Sequence, residues 1–163
     1  MKTILVFGIS AGMSLVSSVV IALLFVWPWL RKRDRNLALE SLITPHMFLR
    51  FIGLSFLVPG VVSPTLPAAF ADPAAYGDFI AGILAIISVI ALAKRASWRI
   101  PIVWVFNIWG AADLLFAIYQ GPHLGIHPDS LGAAFFIPTA IVPPLLITHF
   151  LIFGLLMQRK QSR

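Results

Sequence analysis

The sequence contains no cysteine, which excludes disulfides, thiolate metal sites and thiol catalysis together, whatever the redox compartment. Charge is nearly as scarce. Only 11% of the 163 residues are charged and 60% are hydrophobic, against about 25% charged and 45–50% apolar in soluble domains. A chain this short cannot wrap that much apolar sequence inside a polar shell, so a water-soluble domain is excluded. Signatures of the commonest chemistries are missing too: there is no GxSxG, no P-loop, no HExxH and no dinucleotide fingerprint. That argues against an enzyme of those classes, although residues from separate helices can still assemble an intramembrane site.

What the sequence does contain is long hydrophobic runs. A bilayer core of about 30 Å takes about 20 mainly apolar residues per helix, and five such stretches are present, from about Ile4 to Leu30, Pro45 to Ser63, Ala75 to Ala93, Ile100 to Tyr119 and Leu131 to Met157. The predicted fold is all-α, a membrane bundle of five transmembrane helices forming one domain over residues 1–163. The first run is far longer than the roughly 7–15 apolar residues of a signal peptide, and it ends in Arg31-Lys32-Arg33-Asp34-Arg35 instead of a cleavage site. It is expected to stay in the protein.

The net charge of +6 suggests nucleic acid until the basic residues are placed. Ten of the twelve fall on three segments: Arg31, Lys32, Arg33 and Arg35; Lys94, Arg95 and Arg99; Arg159, Lys160 and Arg163. These are alternate loops, so the positive-inside rule puts them in the cytoplasm, the N-terminus outside and the C-terminus inside. Trp27, Trp29 and Trp98 then sit at the inner headgroup layer and Tyr76 and Tyr119 at the outer one. The expected partner is the lipid bilayer and not nucleic acid.

Polar residues inside apolar helices are expensive and should turn inward. Thr44-Pro45 reads as the start of the second span, with a capping hydroxyl and a proline at the first helical position. Counting from that boundary at 1.5 Å per residue, Arg50 lies roughly 7 Å from the cytoplasmic edge, Asn107 roughly 10 Å and His149 roughly 12 Å, while Asp78 and Asp113 lie roughly 5 and 9 Å from the outer edge. This predicts two layers, one with Arg50, Asn107 and His149 contacting a ligand, the other with Asp78 and Asp113 handling a proton or cation. Ser63 to Gly77, rich in Pro and Ala, reads as an outer loop. Pro138, Pro143 and Pro144 free carbonyls in the fifth span and predict a kink.

Several further constellations compete with that reading. Gly8, Ser10, Gly12, Ser14 and Ser18 form a small-residue face suited to helix packing, either within the chain or against a membrane-protein partner or a second copy. His46 and His149 could ligate a haem from facing helices. His123 and His127 beside Asp129 could hold a surface metal if helical, but Gly125 and Pro128 favour a loop. The readings adopted are no metal and no cofactor.

The stretches Phe48-Leu49-Arg50-Phe51-Ile52-Gly53, Leu66-Pro67-Ala68-Ala69-Phe70-Ala71-Asp72-Pro73-Ala74-Ala75-Tyr76-Gly77-Asp78 and Asn107-Ile108-Trp109-Gly110-Ala111-Ala112-Asp113-Leu114 resemble a family of small uncharacterised bacterial membrane proteins. That family pairs an FRxxG span with an LPAxFAxPAxxGD loop and a WNxxGxxDL span. The resemblance covers about residues 45–120, with Phe106 where the pattern has Trp. It implies a bacterial inner-membrane location and singles out Arg50, Asp78, Asn107 and Asp113. The expected function is the binding or transport of a small solute with proton or cation coupling. The alternatives are an accessory subunit docking through the small-residue face, and a membrane enzyme or haem protein.

Overall fold

A computed structural model describes residues 2–158; the basic cluster Arg159, Lys160 and Arg163 lies outside them. Five helices are long and apolar enough to cross a membrane: α1 Lys2–Leu30, α2 Arg35–Leu57, α3 Ala68–Ala93, α4 Arg99–His123 and α5 Ile137–Met157. A 3₁₀ segment, Pro128–Phe135, precedes α5 and is interrupted at Gly132, whose φ is 53°. Any side chain at Gly132 would run into the Val61 carbonyl, and glycine is the residue that tolerates this backbone.

α2 starts earlier than its proline suggests. Asp34 sits in extended backbone and its Oδ1 accepts from the Asn36 amide at 2.9 Å, satisfying one of the orphan donors of a helix start. Ala38, Leu39, Leu42 and Ile43 then recur on one buried face. Thr44 does not cap a new helix, because its hydroxyl donates back to the Glu40 carbonyl at 2.7 Å. Pro45 makes a turn inside α2, after which the chain winds through His46–Leu49 and tightens to 3₁₀ over Arg50–Leu57.

α3 also starts before its expected boundary. From Ala68 to Gly77, the Pro/Ala-rich stretch expected to be a loop is its first three turns, and only Ser63 to Pro67 lies outside the helix. Pro73 inside it has no amide to give the Ala69 carbonyl, and that carbonyl accepts from Gln120 Nε2 at 2.9 Å. A side chain from α4 therefore replaces the bond that made a helix look unfavourable. α5 begins with a π-helical stretch, Ile137–Ile141, which contains Pro138 and also the Thr139 and Ala140 carbonyls, four residues before Pro143 and Pro144, that those prolines leave without an amide.

α3 is the central helix, packed on α4 and on the 3₁₀ half of α2, while α1 leans on α5 and the segment before it. Two apolar clusters result. One joins Leu30, Leu39, Ile43, Leu92, Val103, Phe106 and Ile152; the other joins Phe56, Phe70, Ala74, Ala75, Leu131 and Ile137. Along α2, His46 and Arg50 fall between Ile43 and Phe56, so the polar site lies between the two clusters. Outside, long rows of Ile, Leu, Val and Phe are exposed, more of them on α1 than on any other helix.

Candidate functional site

Arg50 is 1% exposed, and a buried guanidinium must satisfy five N–H donors without accepting any bond. It does so completely. Nη1 donates to Asp78 Oδ1 at 2.5 Å and to Asp113 Oδ2 at 3.0 Å. Nη2 donates to the Gly110 carbonyl at 2.7 Å and meets His149 Nε2 at 2.8 Å. Nε points to His46 Nδ1 at 3.4 Å.

Because arginine only donates, both imidazoles must offer it a lone pair, and this sets their protons. With Nε2 accepting, His149 carries its hydrogen on Nδ1 and donates to Asn107 Oδ1 at 2.7 Å, while Asn107 Nδ2 returns a bond to the His149 carbonyl at 3.2 Å. His46, accepting on Nδ1, donates from Nε2 to Thr148 Oγ1 at 2.8 Å, and the Thr148 hydroxyl donates in turn to the Leu145 carbonyl at 2.7 Å. Both rings are neutral in this bonding scheme. The charged groups of the network are therefore one cation and two carboxylates.

Three glycines let these groups meet. A Cβ on Gly53 or on Gly77 would overlap the Asp78 or Asp113 carboxylate respectively, and one on Gly110 would lie 2.6 Å from His149 Cε1 and 3.0 Å from Arg50 Nη2. Each aspartate packs against bare backbone of the neighbouring helix. Trp109 Nε1 further ties α4 to the Gly77 carbonyl at 3.2 Å.

Beside the network lies a cavity of about 710 Å³. Its walls are apolar, including Phe7 and Ala11 of α1, Phe70 and Ala74 of α3, and Ala117 and Ile118 of α4, and Asp78 and Asp113 line it between them. The two aspartate side chains keep 11% exposure each, whereas Arg50 has none. Among the described residues, Asp78 Oδ2 and Asp113 Oδ1 accept no hydrogen bond.

All five site residues expected from the sequence fall in one network, but the expected division into two layers is corrected. Helices α2, α3 and α4 extend beyond their expected boundaries. From Arg35, Arg50 is about 22 Å along α2, and Asp78 and Asp113 are each about 15 Å from the ends of α3 and α4, so the helices cross where the charges meet. The roles also shift. Arg50, Asn107 and His149, expected to contact a ligand, are 0–1% exposed and bonded to one another, and it is the carboxylates that face the cavity.

The haem arrangement does not fit these residues. The His46 and His149 rings are 4.6 Å apart, and all four ring nitrogens are engaged with Arg50, Asn107 and Thr148. His123 stacks on Tyr119 at 5.4 Å, while His127 pairs with Asp129 at 3.0 Å, so the two histidines are engaged with separate partners. Among the described residues no group of three or more His, Asp or Glu is arranged to hold a metal ion. On α1, Ser10, Ser14 and Ser18 are half-buried, whereas Gly8 and Gly12 are exposed with nothing within 4 Å of an added Cβ. Sequence reasoning missed Thr148 and the steric role of Gly53 and Gly77. The signal for the glycines was their place inside the three quoted stretches, which supply Arg50 and Gly53, Gly77 and Asp78, and Asn107, Gly110 and Asp113.

A family model described as a domain of unknown function (DUF8737) matches residues 6–157, and the chain belongs to that family. No curated protein and no solved structure matches it.

Proposed function

We propose that this member of the family is a multi-pass protein of the bacterial inner membrane that binds or moves a small solute in the cavity, with Asp78 and Asp113 taking up a proton or cation. The apolar outer surfaces of five long helices support insertion, since exposed apolar area on this scale needs a lipid or protein cover. The observation that carries the function is the charge count at the cavity: two carboxylates share one guanidinium, and among the described residues no other charged group bonds to them. With both carboxyls ionised the network has one surplus negative charge in a nearly dry layer, where such a charge is costly. A proton or a cation entering from the cavity cancels it, and its departure restores the charge. In this reading Arg50 holds the two carboxylates at fixed positions, while Asn107 and His149 orient Arg50.

Asp113→Asn leaves one carboxylate for one guanidinium. In proteoliposomes this variant is expected to lose the pH dependence of solute binding or flux while its melting temperature stays near that of the parent. An unchanged pH profile would remove Asp113 from proton or cation handling.

Orientation has its own test, helped by the absence of native cysteine. Single substitutions Leu124→Cys and Lys94→Cys place thiols at opposite ends of the bundle. With a membrane-impermeant maleimide, the first should label in intact bacterial cells and the second only after permeabilisation. The opposite pattern would invert the topology.

A second reading, an accessory subunit of a larger membrane complex, is favoured by α1. None of the residues Lys2–Ile21 is buried, and the Gly8 and Gly12 face is open. Co-purification with one partner at fixed stoichiometry would decide for it.

A further inference from the structure

We propose that the cavity takes an amphiphilic monocation, its positive head against Asp78 and Asp113 and its apolar body in the space bounded by α1, α3, α4 and the start of α5. This names the solute class for the site above and rests on that reading.

Size is the first argument. A cavity of about 710 Å³ lies inside the range of about 300–1,000 Å³ that holds drug-sized molecules and far exceeds the space of a bare ion. The walls are the second. Apart from Asp78, Asp113 and the exposed ring of His127, which pairs with Asp129, no lining side chain carries a hydrogen-bonding group, so a sugar or other many-hydroxyl solute would lose most of its water without replacement.

Charge is the third argument, and it selects the sign. The surplus at the floor is one negative charge, and an unbonded oxygen remains on each carboxylate. An anion would meet those carboxylates first, because Arg50 lies behind them, 1% exposed, with all five donors engaged. A neutral alcohol could donate one hydrogen bond but would leave the surplus charge in place. A bare metal ion would find carboxylates on one side and hydrocarbon on the others. α1 closes the cavity loosely, making no more than marginal contact with α3 or α4, so the apolar end has room for bodies of differing shape.

The test uses the full chain in lipid nanodiscs, with empty nanodiscs subtracted, and three probes of similar bulk: tetraphenylphosphonium, tetraphenylborate and neutral triphenylphosphine oxide. Equilibrium dialysis should show saturable binding of the cation, about tenfold or more weaker binding of the neutral probe and none of the anion. Asp78→Asn with Asp113→Asn should weaken the cation by about tenfold or more. Ala117→Trp fills the cavity and replaces no member of the charged network, so it should abolish binding even if the aspartate variant fails to fold. Equal binding of the neutral probe and the cation, both abolished by Ala117→Trp, would overturn the cationic class and keep the solute site. Absence of saturable binding by any probe, or binding that Ala117→Trp leaves intact, would overturn both.

Discussion

Arg50→Met is expected to destabilise the protein by about 3–5 kcal/mol, the cost of removing one partner from a buried charge network. The substitution keeps much of the side-chain volume, so the loss is electrostatic and not a cavity effect. Asp78 and Asp113 are left facing each other without the cation that bonds them at 2.5 and 3.0 Å. The Gly110 carbonyl, His149 Nε2 and His46 Nδ1 lose their donor at the same time. For a chain of this size the melting temperature in detergent should fall by on the order of 10 °C. Arg50→Lys restores the charge but supplies three donors from one point, where five acceptors are spread around a plane, so it should recover only part of the loss. The decisive variant is Arg50→Met combined with Asp78→Asn and Asp113→Asn. Replacing a whole buried charge group by neutral side chains is often harmless, so the triple variant should melt well above the single one. A triple variant no more stable than Arg50→Met would show that charge balance does not hold these helices together.

The second large effect comes from a single methyl group. Gly110→Ala places a Cβ 2.6 Å from His149 Cε1, 2.7 Å from His149 Nε2 and 3.0 Å from Arg50 Nη2. These atoms cannot give way, because His149 is held at both ring nitrogens and Arg50 at all three of its own. α4 must therefore back away, pulling the Gly110 carbonyl and Asp113 from the guanidinium. Overpacking of this kind costs about 1–3 kcal/mol, and binding in the cavity should fall with it, since Asp113 is displaced. The same change on α1 should have the opposite sign. Nothing lies within 4 Å of a Cβ on Gly8, and alanine is favoured over glycine in a helix interior by about 0.5–1 kcal/mol. Thermal melting of the two variants side by side checks the pair; equal shifts would mean that close approach at Gly110 is not what the glycine provides.

How far the site could be read beforehand differs from residue to residue. Arg50, Asp78, Asn107, Asp113 and His149 stand out because charged and amide groups are rare in such apolar helices and must be paired. Their partners were harder to read. Thr44-Pro45 and the Pro/Ala-rich stretch after Leu66 carry ordinary signals of a helix start and a loop. In the fold, Thr44 bonds back to Glu40 and Gln120 reaches the carbonyl that Pro73 leaves free. Each is a contact that local propensity does not contain, and together they moved the helix ends and brought two supposed layers into one.

Composition and the length of the hydrophobic runs determined by themselves that this chain makes five long apolar helices, and which few side chains are too polar to be left unpaired among them. These are local properties, readable residue by residue. Only the tertiary structure decided that one arginine binds both aspartates, that three glycines make the approach possible, and that a cavity opens beside them. All three depend on how far each helix slides along its neighbours and how closely their backbones meet, and contacts between residues distant in the chain set both.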